Sequence, residues 1–320
     1  MKPRLVFVHG IGKPRDAASE LDAWLDALTS GARAAGHLRR AEALLRGDQV
    51  DVRFAYYTDL FTADGAQHAA PPEDVNGAEA ESVAELLLDA LDTRLVDPQG
   101  EHEARVLRRA RAQLSPEGEQ QGIGDAFRRT LNAANTVLAL PGLRTFGGWA
   151  SAGIMVSYLG QVKRYLARQE RDGAGLSLDQ RIRGRVAAEL NPTGPTVVVA
   201  HSLGTVVTFE ALHDHSGTVP LLVTLGSPIG MRTAVRHRMR PQPLQVPAPV
   251  AQWLNFWDRD DLIAGHPHLE KSITANGTSV SPVSRRVDSD GVLVHAALKY
   301  LAQPGVAGPI LEALEAATAE

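Results

Sequence analysis

The chain has 320 residues, of which 44% are hydrophobic, and its formal net charge is −4. A chain of this length can bury a complete core, and 33 Lys and Arg against 37 Asp and Glu give no basic field for nucleic acid. Because the sequence has no cysteine, disulfide frameworks, thiol nucleophiles and cysteine-ligated zinc are excluded. Function must therefore be sought in individual sites.

Short apolar runs alternate along the chain with longer stretches of helical spacing. This alternation predicts an α/β fold with a mainly parallel central sheet and helices on both faces. Most of the runs are continuous rather than alternating, as expected for strands that are covered on both sides. The predicted strands are residues 4–8, 50–56, 196–200, 221–225, 253–257 and 283–287.

A long insert separates the second predicted strand from the third. The connection is too long for a single crossover helix, so we predict a core of residues 1–60 and 191–320 with a helical insert at 61–190 that forms a cap or lid. Apolar spacing predicts helices at 81–95 and 178–190. The arginines between 101 and 129 indicate a solvated helix face, with an anion-binding patch as the alternative.

One stretch of the insert, residues 145–162, contains no charged side chain. Its glycines and serines favour a buried or lid helix, and a membrane span or peripheral membrane contact is the alternative. The first residues lead directly into a short strand without the long apolar region of a secretion signal. We therefore expect a cytoplasmic location.

A nucleophile is predicted at Ser202. The sequence around it reads as a buried strand, a tight turn and then a helix that continues to His213. A serine on such a strained turn requires small residues two positions away on each side, and Ala200 and Gly204 meet that requirement. The alternative is a plain helix start that Ser202 caps.

Hydroxyl attack on a carbonyl also requires donors for the oxyanion. The loop His9-Gly10-Ile11-Gly12 follows the first strand and resembles the oxyanion loop of lipases and esterases. In that interpretation the backbone amide of Ile11 or Gly12 and that of Leu203 both donate hydrogen bonds to the oxyanion. His9 then lies beside the substrate. A phosphate-binding loop is the alternative, although neither common glycine spacing is present.

The general base and the acid are predicted near the C-terminus. In lipases and esterases, which the loop at His9 resembles, the order along the chain is serine, acid, histidine. His295 lies after the last predicted strand, where that order places the base. Three aspartates follow the strand 253–257. Asp261, followed by two apolar residues, matches the lipase-like acid best; Asp258 is the alternative and Asp260 ranks last.

Four stretches together resemble the lipase/esterase-like branch of the α/β-hydrolase superfamily. The resemblance covers mainly residues 1–60 and 195–302, and the insert resembles no family. It departs from the family at Ala200, where glycine is usual. The four stretches are Ala200–Gly204, His9–Gly12, Val223–Pro228 and Asn255–Asp261.

This resemblance implies an α/β-hydrolase fold and cleavage of an acyl bond, foremost a carboxylic ester, through an acyl-enzyme intermediate. No metal or cofactor is expected, and the partner would be a small-molecule or lipid-like acyl substrate rather than nucleic acid. Trp149 and Met155 of the uncharged stretch would line the substrate pocket. The alternatives are a catalytically silent scaffold, a peptidase or amidase, and a membrane-associated lipid hydrolase.

Overall fold

The computed structural model describes residues 2–12, 14–47, 49–62, 77–114, 123–140, 152–289 and 294–319. Within these ranges six parallel strands form one sheet in the order β2-β1-β3-β4-β5-β6. The α/β class and the parallel sheet are thus confirmed, and each predicted strand end lies within one residue of the observed end. The strands are β1 (Arg4–Val8), β2 (Asp51–Ala55), β3 (Thr196–His201), β4 (Leu222–Leu225), β5 (Trp253–Asp258) and β6 (Pro282–Val287).

Helices cover both faces of the sheet, and local sequence fixes several of their ends. Asp16 caps the first helix by accepting a hydrogen bond from the Ser19 amide at 2.8 Å, and Ser177 and Gln180 form a capping box at the start of the helix Leu178–Glu189. The described helices are α1 (Ala17–Ala34), α2 (Leu38–Arg46), α3 (Gly77–Leu95), α4 (Gly100–Leu114), α5 (Ile123–Leu138), α6 (Ala152–Ala167), α7 (Leu178–Glu189), α8 (Leu203–Leu212), α9 (Ala297–Leu301) and α10 (Pro304–Ala319).

Alternate side chains of strands β1 to β5 enter two separate apolar clusters, because successive residues of a strand point to opposite faces. Leu5 and Phe7 of β1 lie in the cluster that α1, α2, α9 and α10 cover. Val6 and Val8 lie in the cluster that α3 to α8 cover. The sheet is therefore the middle of three layers.

Helices of the insert share the second of these clusters with the sheet. Leu91 of α3, Met155 of α6 and Ile182 of α7 are all buried in it, together with Val198 of β3. Arg105, Arg108 and Arg109 of α4 are exposed, as predicted for a solvated helix face. Whether the insert acts as a cap or lid, and whether residues 61–190 form a unit apart from the core, stays a prediction.

The uncharged stretch is only partly described. Residues 145–151 lie outside the described ranges, and α6 begins at Ala152. Of the described helices, none combines the length and the apolar character needed to cross a membrane.

Candidate active site

Two loops meet where the strand order of the sheet reverses. β1 and β3 are neighbours, yet the chain moves from β1 to β2 on one side and from β3 to β4 on the other. In open parallel sheets, such a reversal opens a crevice beyond the carboxyl ends of the two strands, and ligands bind there. The loop His9–Gly12 and the turn at Ser202 both follow these carboxyl ends.

Ser202 occupies a strained turn between β3 and α8. Its backbone has φ 53° and ψ −129°, a region that residues other than glycine rarely adopt. A Cβ at Gly204 would overlap the His9 carbonyl oxygen, and one at Gly10 would lie 2.5 Å from the Ser202 Cβ. Glycine at these two positions is what lets the strand, the turn and the loop approach so closely.

His295 connects the serine to a carboxylate across distant parts of the chain. Its Nε2 lies 3.0 Å from Ser202 Oγ, and its Nδ1 lies 2.8 Å from Asp261 Oδ2 and 2.9 Å from Oδ1. Because an ionised carboxylate only accepts, Nδ1 carries the proton and Nε2 of the neutral ring accepts from the serine hydroxyl. All three side chains are buried.

The carboxyl group of Asp261 is held in its charged form. Burial alone raises its pKa, but the charge of His295 and hydrogen bonds from His295 and Tyr300 outweigh burial, so the pKa lies below its usual value. Tyr300 donates its hydroxyl to Oδ2 at 2.7 Å, and the Ile263 amide donates to Oδ1 at 3.0 Å. The carboxylate is thus oriented as well as ionised.

The other two aspartates of this loop have different partners. Asp258 accepts hydrogen bonds from the amide and hydroxyl of Ser289, at 2.6 and 2.7 Å, and from the amide of Asp260 at 2.8 Å. Asp260 pairs with Arg94 at 2.6 Å. Among the three, the structure brings Asp261 to the imidazole.

Three further residues support this arrangement and were not singled out in the sequence. His201 donates from Nε2 to the carbonyl oxygen of His295 at 2.5 Å, and burial followed by the charge of His295 lowers its pKa to about 3. Tyr300 also accepts from the Asp258 amide at 3.0 Å. Gly226 has φ 54°, and a Cβ there would lie 2.6 Å from Asp261 Oδ2.

Backbone amides beside Ser202 differ in their availability. The Gly12 amide donates to Gln161 Oε1 at 3.0 Å, and the Gly12 carbonyl accepts from Gln161 Nε2 at 3.0 Å. Within the described ranges, the amides of Ile11 and Leu203 have no hydrogen-bond acceptor. Of the two loop amides predicted to act with Leu203, only that of Gly12 already has an acceptor among the described residues, so Ile11 is the better candidate.

The structure places the three residues predicted to line the substrate pocket in different surroundings, or does not describe them. His9 is buried, stacks on Tyr57 at 4.2 Å and accepts from the Tyr57 amide at 3.0 Å; burial lowers its pKa to about 4. Met155 is 1% exposed and belongs to the apolar cluster. Trp149 lies outside the described residues. A pocket role for these residues stays a prediction.

The assembled groups have a definite chemical capacity. A hydroxyl, an imidazole and a carboxylate lie in series, and among the described residues the amides of Ile11, in the loop after β1, and Leu203, next to Ser202 in the chain, have no acceptor. Such a set can transfer a proton from the hydroxyl and stabilise negative charge on an oxygen beside it. Compared with protein-family models, with curated proteins and with solved structures, the chain finds no match.

Proposed function

We propose that this chain is a serine hydrolase of the α/β-hydrolase superfamily that cleaves a carboxylic ester through an acyl-enzyme intermediate. One observation carries the proposal: Ser202 Oγ lies 3.0 Å from His295 Nε2, while His295 Nδ1 lies 2.8 Å from the ionised Asp261. A serine hydroxyl is a weak nucleophile at neutral pH, and a base that is itself oriented by a carboxylate activates it.

Features of the fold support the superfamily. The serine follows a central strand and precedes a helix, and the chain order is serine, aspartate, histidine, as in α/β-hydrolases. The acid follows β5 and the histidine follows β6, so parallel strands bring both to the same edge of the sheet as Ser202. The loop after β1 contains the Ile11 amide, which has no acceptor among the described residues, and this supports an oxyanion hole there.

Acylation would proceed as follows. Ser202 Oγ attacks the ester carbonyl carbon while His295 Nε2 takes the hydroxyl proton, and Asp261 stabilises the resulting imidazolium. The oxyanion accepts hydrogen bonds from the amides of Ile11 and Leu203. Collapse of this intermediate breaks the carbon–oxygen bond to the alcohol, which leaves with the proton from Nε2.

Deacylation repeats these steps with water. His295 Nε2 takes a proton from water as the hydroxide attacks the acyl carbon, and the same two amides stabilise the second oxyanion. The bond to Ser202 Oγ then breaks, and the proton returns from Nε2 to the serine. The products are a carboxylic acid and a regenerated hydroxyl, so atoms and charges balance.

Labelling with a fluorophosphonate probe tests the proposal, because such probes react with activated serines. We expect the wild type to be labelled and Ser202→Ala to be unlabelled. Ser227→Ala is the matched control, since Ser227 is also buried and follows the adjacent strand β4, where it hydrogen-bonds to Thr205 at 2.8 Å. It should retain labelling. A folded wild type that does not react, or Ser202→Ala that does, would refute the proposal.

A second measurement tests the kind of bond. The same fold and the same three side chains serve esters, thioesters and amides. The p-nitrophenyl ester, the thioester and the anilide of one acyl group should therefore be compared by kcat/KM. We expect the ester to be cleaved fastest; a larger value for the anilide would assign the chain to the amidases.

A further inference from the structure

A cavity of about 580 Å³ lies beside the loop that carries Asp261, at the carboxyl end of β5. Its walls are formed by the end of α3, by the segment 232–236 and by the start of the loop that follows β5. Asp261 lines the cavity, but among the described residues neither Ser202 nor His295 does. The cavity therefore borders the proposed catalytic site at Asp261 without including the nucleophile or the base, and its volume suits a small organic molecule.

The walls of this cavity are rich in positive charge. Six basic side chains face three carboxylates, those of Asp97, Asp258 and Asp261. Two of these carboxylates are already engaged, Asp258 by Ser289 and Asp261 by His295 and Tyr300. The six basic residues are Arg94, Arg232, Arg236, Arg259, Lys271 and Arg286.

Half of these basic side chains lack a carboxylate partner. Arg94 pairs with Glu103 and Asp260, Arg286 pairs with Asp288, and Arg259 lies 3.8 Å from the exposed carboxylate of Asp97. In contrast, Arg232, Arg236 and Lys271 have no acidic partner within the described part of the chain. The side chain of Arg236 donates to Ser272 Oγ at 2.7 Å, which leaves its charge uncompensated.

Two buried donors of the same wall also lack acceptors. Arg259 Nη1 and Trp257 Nε1 are buried, and no atom of the described residues accepts a hydrogen bond from either. Buried polar groups without partners are uncommon in folded proteins. A ligand that brings oxygen acceptors into the cavity would satisfy them and would also compensate the three unpaired cations.

Part of the remaining wall is apolar. Besides the indole ring of Trp257, it is formed by Ala90, Val96, Leu262, Ala264 and Pro267. Inorganic phosphate alone would leave this surface without a partner, whereas a molecule with an apolar body and an anionic end would fill both parts. Guanidinium groups match phosphate oxygens especially well, since they form paired, charge-assisted hydrogen bonds.

We propose that this cavity binds an organic phosphate, with the phosphate group at Arg232, Arg236 and Lys271 and the apolar body against Trp257. This ligand is distinct from the ester that Ser202 would cleave. Its phosphate could belong to a free small molecule or to a lipid headgroup, because the chemistry of recognition is the same.

Calorimetric titration of the full chain with phenyl phosphate tests the site. Inorganic phosphate and phenol, the two halves of this ligand, are titrated for comparison. We expect phenyl phosphate to bind more tightly than either half. The double variant Arg232→Gln/Arg236→Gln should weaken binding by about tenfold or more. Lys271→Gln should weaken it less. The matched control is Arg33→Gln/Arg39→Gln, which removes two exposed arginines from α1 and α2 on the other face of the sheet.

Two further sets of measurements locate the site and identify the source of the phosphate. Ser202→Ala should bind phenyl phosphate like the wild type, and Trp257→Phe should remove the change in tryptophan fluorescence that accompanies binding. Vesicles of phosphatidylcholine with phosphatidic acid are compared with vesicles without it: tighter, Arg232- and Arg236-dependent binding to the former indicates a lipid headgroup. Failure of both phenyl phosphate and these vesicles to bind, or equal losses in the two double variants, would overturn the proposal.

Discussion

The loops at the carboxyl edge of the sheet and the helical insert of residues 61–190 meet different structural demands. The loops depend on particular residues at particular positions: a Cβ at Gly10 or Gly226 would collide with a neighbour, and Ser202 adopts a positive φ. The insert instead contributes apolar volume, such as Leu87 and Met155, to a cluster that it shares with the sheet. The loops therefore depend on the local geometry of individual residues, whereas the insert depends on how well its apolar side chains pack.

The largest expected effect tests whether the loops alone carry the chemistry. Ser202→Ala and His295→Ala should each reduce kcat/KM for short p-nitrophenyl esters by a factor on the order of 10³ or more, because the nucleophile and its base act as a unit. Circular dichroism should show that both variants fold. Residual activity above about a tenth of the wild-type value would contradict this assignment.

The next effect separates two aspartates of one loop. Asp261→Asn removes the charge that orients and stabilises His295, so activity should fall by roughly 10²-fold or more. Asp258→Asn should keep most of the activity and lose stability, since Asp258 bonds to Ser289 rather than to the imidazole. Steady-state kinetics and urea unfolding of both variants provide the test. The opposite ranking would assign the acid to Asp258.

The free energy of unfolding should decrease on acidification even before the carboxylates titrate, because of two buried histidines in the loop region. The pKa of buried His9 is lowered to about 4 and that of His201 to about 3, so between the ordinary value of 6.5 and these values the unfolded chain binds more protons. Stability therefore falls as the pH falls through this window, by about 2 kcal/mol for each histidine between pH 7 and pH 4.5.

Urea unfolding at the two pH values measures this loss. His201→Gln, which keeps a donor for the His295 carbonyl, should reduce this loss by about 2 kcal/mol. His268→Gln changes a histidine with 49% exposed side chain and serves as the control. If His201→Gln leaves the slope unchanged, the buried histidines are not its source.

In the insert, substitution should affect stability rather than selectivity. Met155→Ala opens space in the shared cluster and should lower the free energy of unfolding by about 2 to 4 kcal/mol, while Leu176→Ala, at a residue 49% exposed, should change it little. We expect the preferred acyl chain length in kcat/KM to stay the same. A shifted preference with an unchanged Tm would instead show that this segment lines the acyl pocket.

The smallest effect compares two buried tyrosines. Tyr300→Phe removes a hydrogen bond that favours the charged form of Asp261, so the pKa of Asp261 should rise and activity should be lost at a higher pH on acidification. At neutral pH kcat should fall about tenfold with little change in KM. Tyr165→Phe is the control, because Tyr165 donates to the buried Glu210 at 2.7 Å in the insert layer. An equal loss of kcat in both variants would mean that Tyr300 acts only through stability.

Much of the sheet and part of the site could be predicted from the sequence. Buried parallel strands are continuous apolar runs, so even their ends were placed to within one residue. The predicted neighbours Ser202, His295 and Asp261 do lie together, because strand order and parallel direction bring the loops to one edge. Their catalytic roles stay predictions.

The supporting contacts could not be predicted in the same way. His201 bonds to a carbonyl 94 residues away, and Gln161 of α6 occupies both polar groups of Gly12 across 149 residues. Tyr300 lies five positions after His295 and has no motif of its own. Such contacts depend on how helices from separate segments pack, and the partner of a single polar side chain leaves no periodic pattern in the sequence.

The spread of the site along the chain has a consequence for folding. The loop at Gly10, the turn at Ser202, Asp261 and His295 come from nearly the full length of the polypeptide and meet only after the parallel strands have paired. Pairings of such high contact order form slowly, because each closes a long loop before any contact compensates the lost entropy. Serine reactivity during refolding should therefore appear with the last, global phase and not with early helix formation, which makes it a reporter of complete assembly.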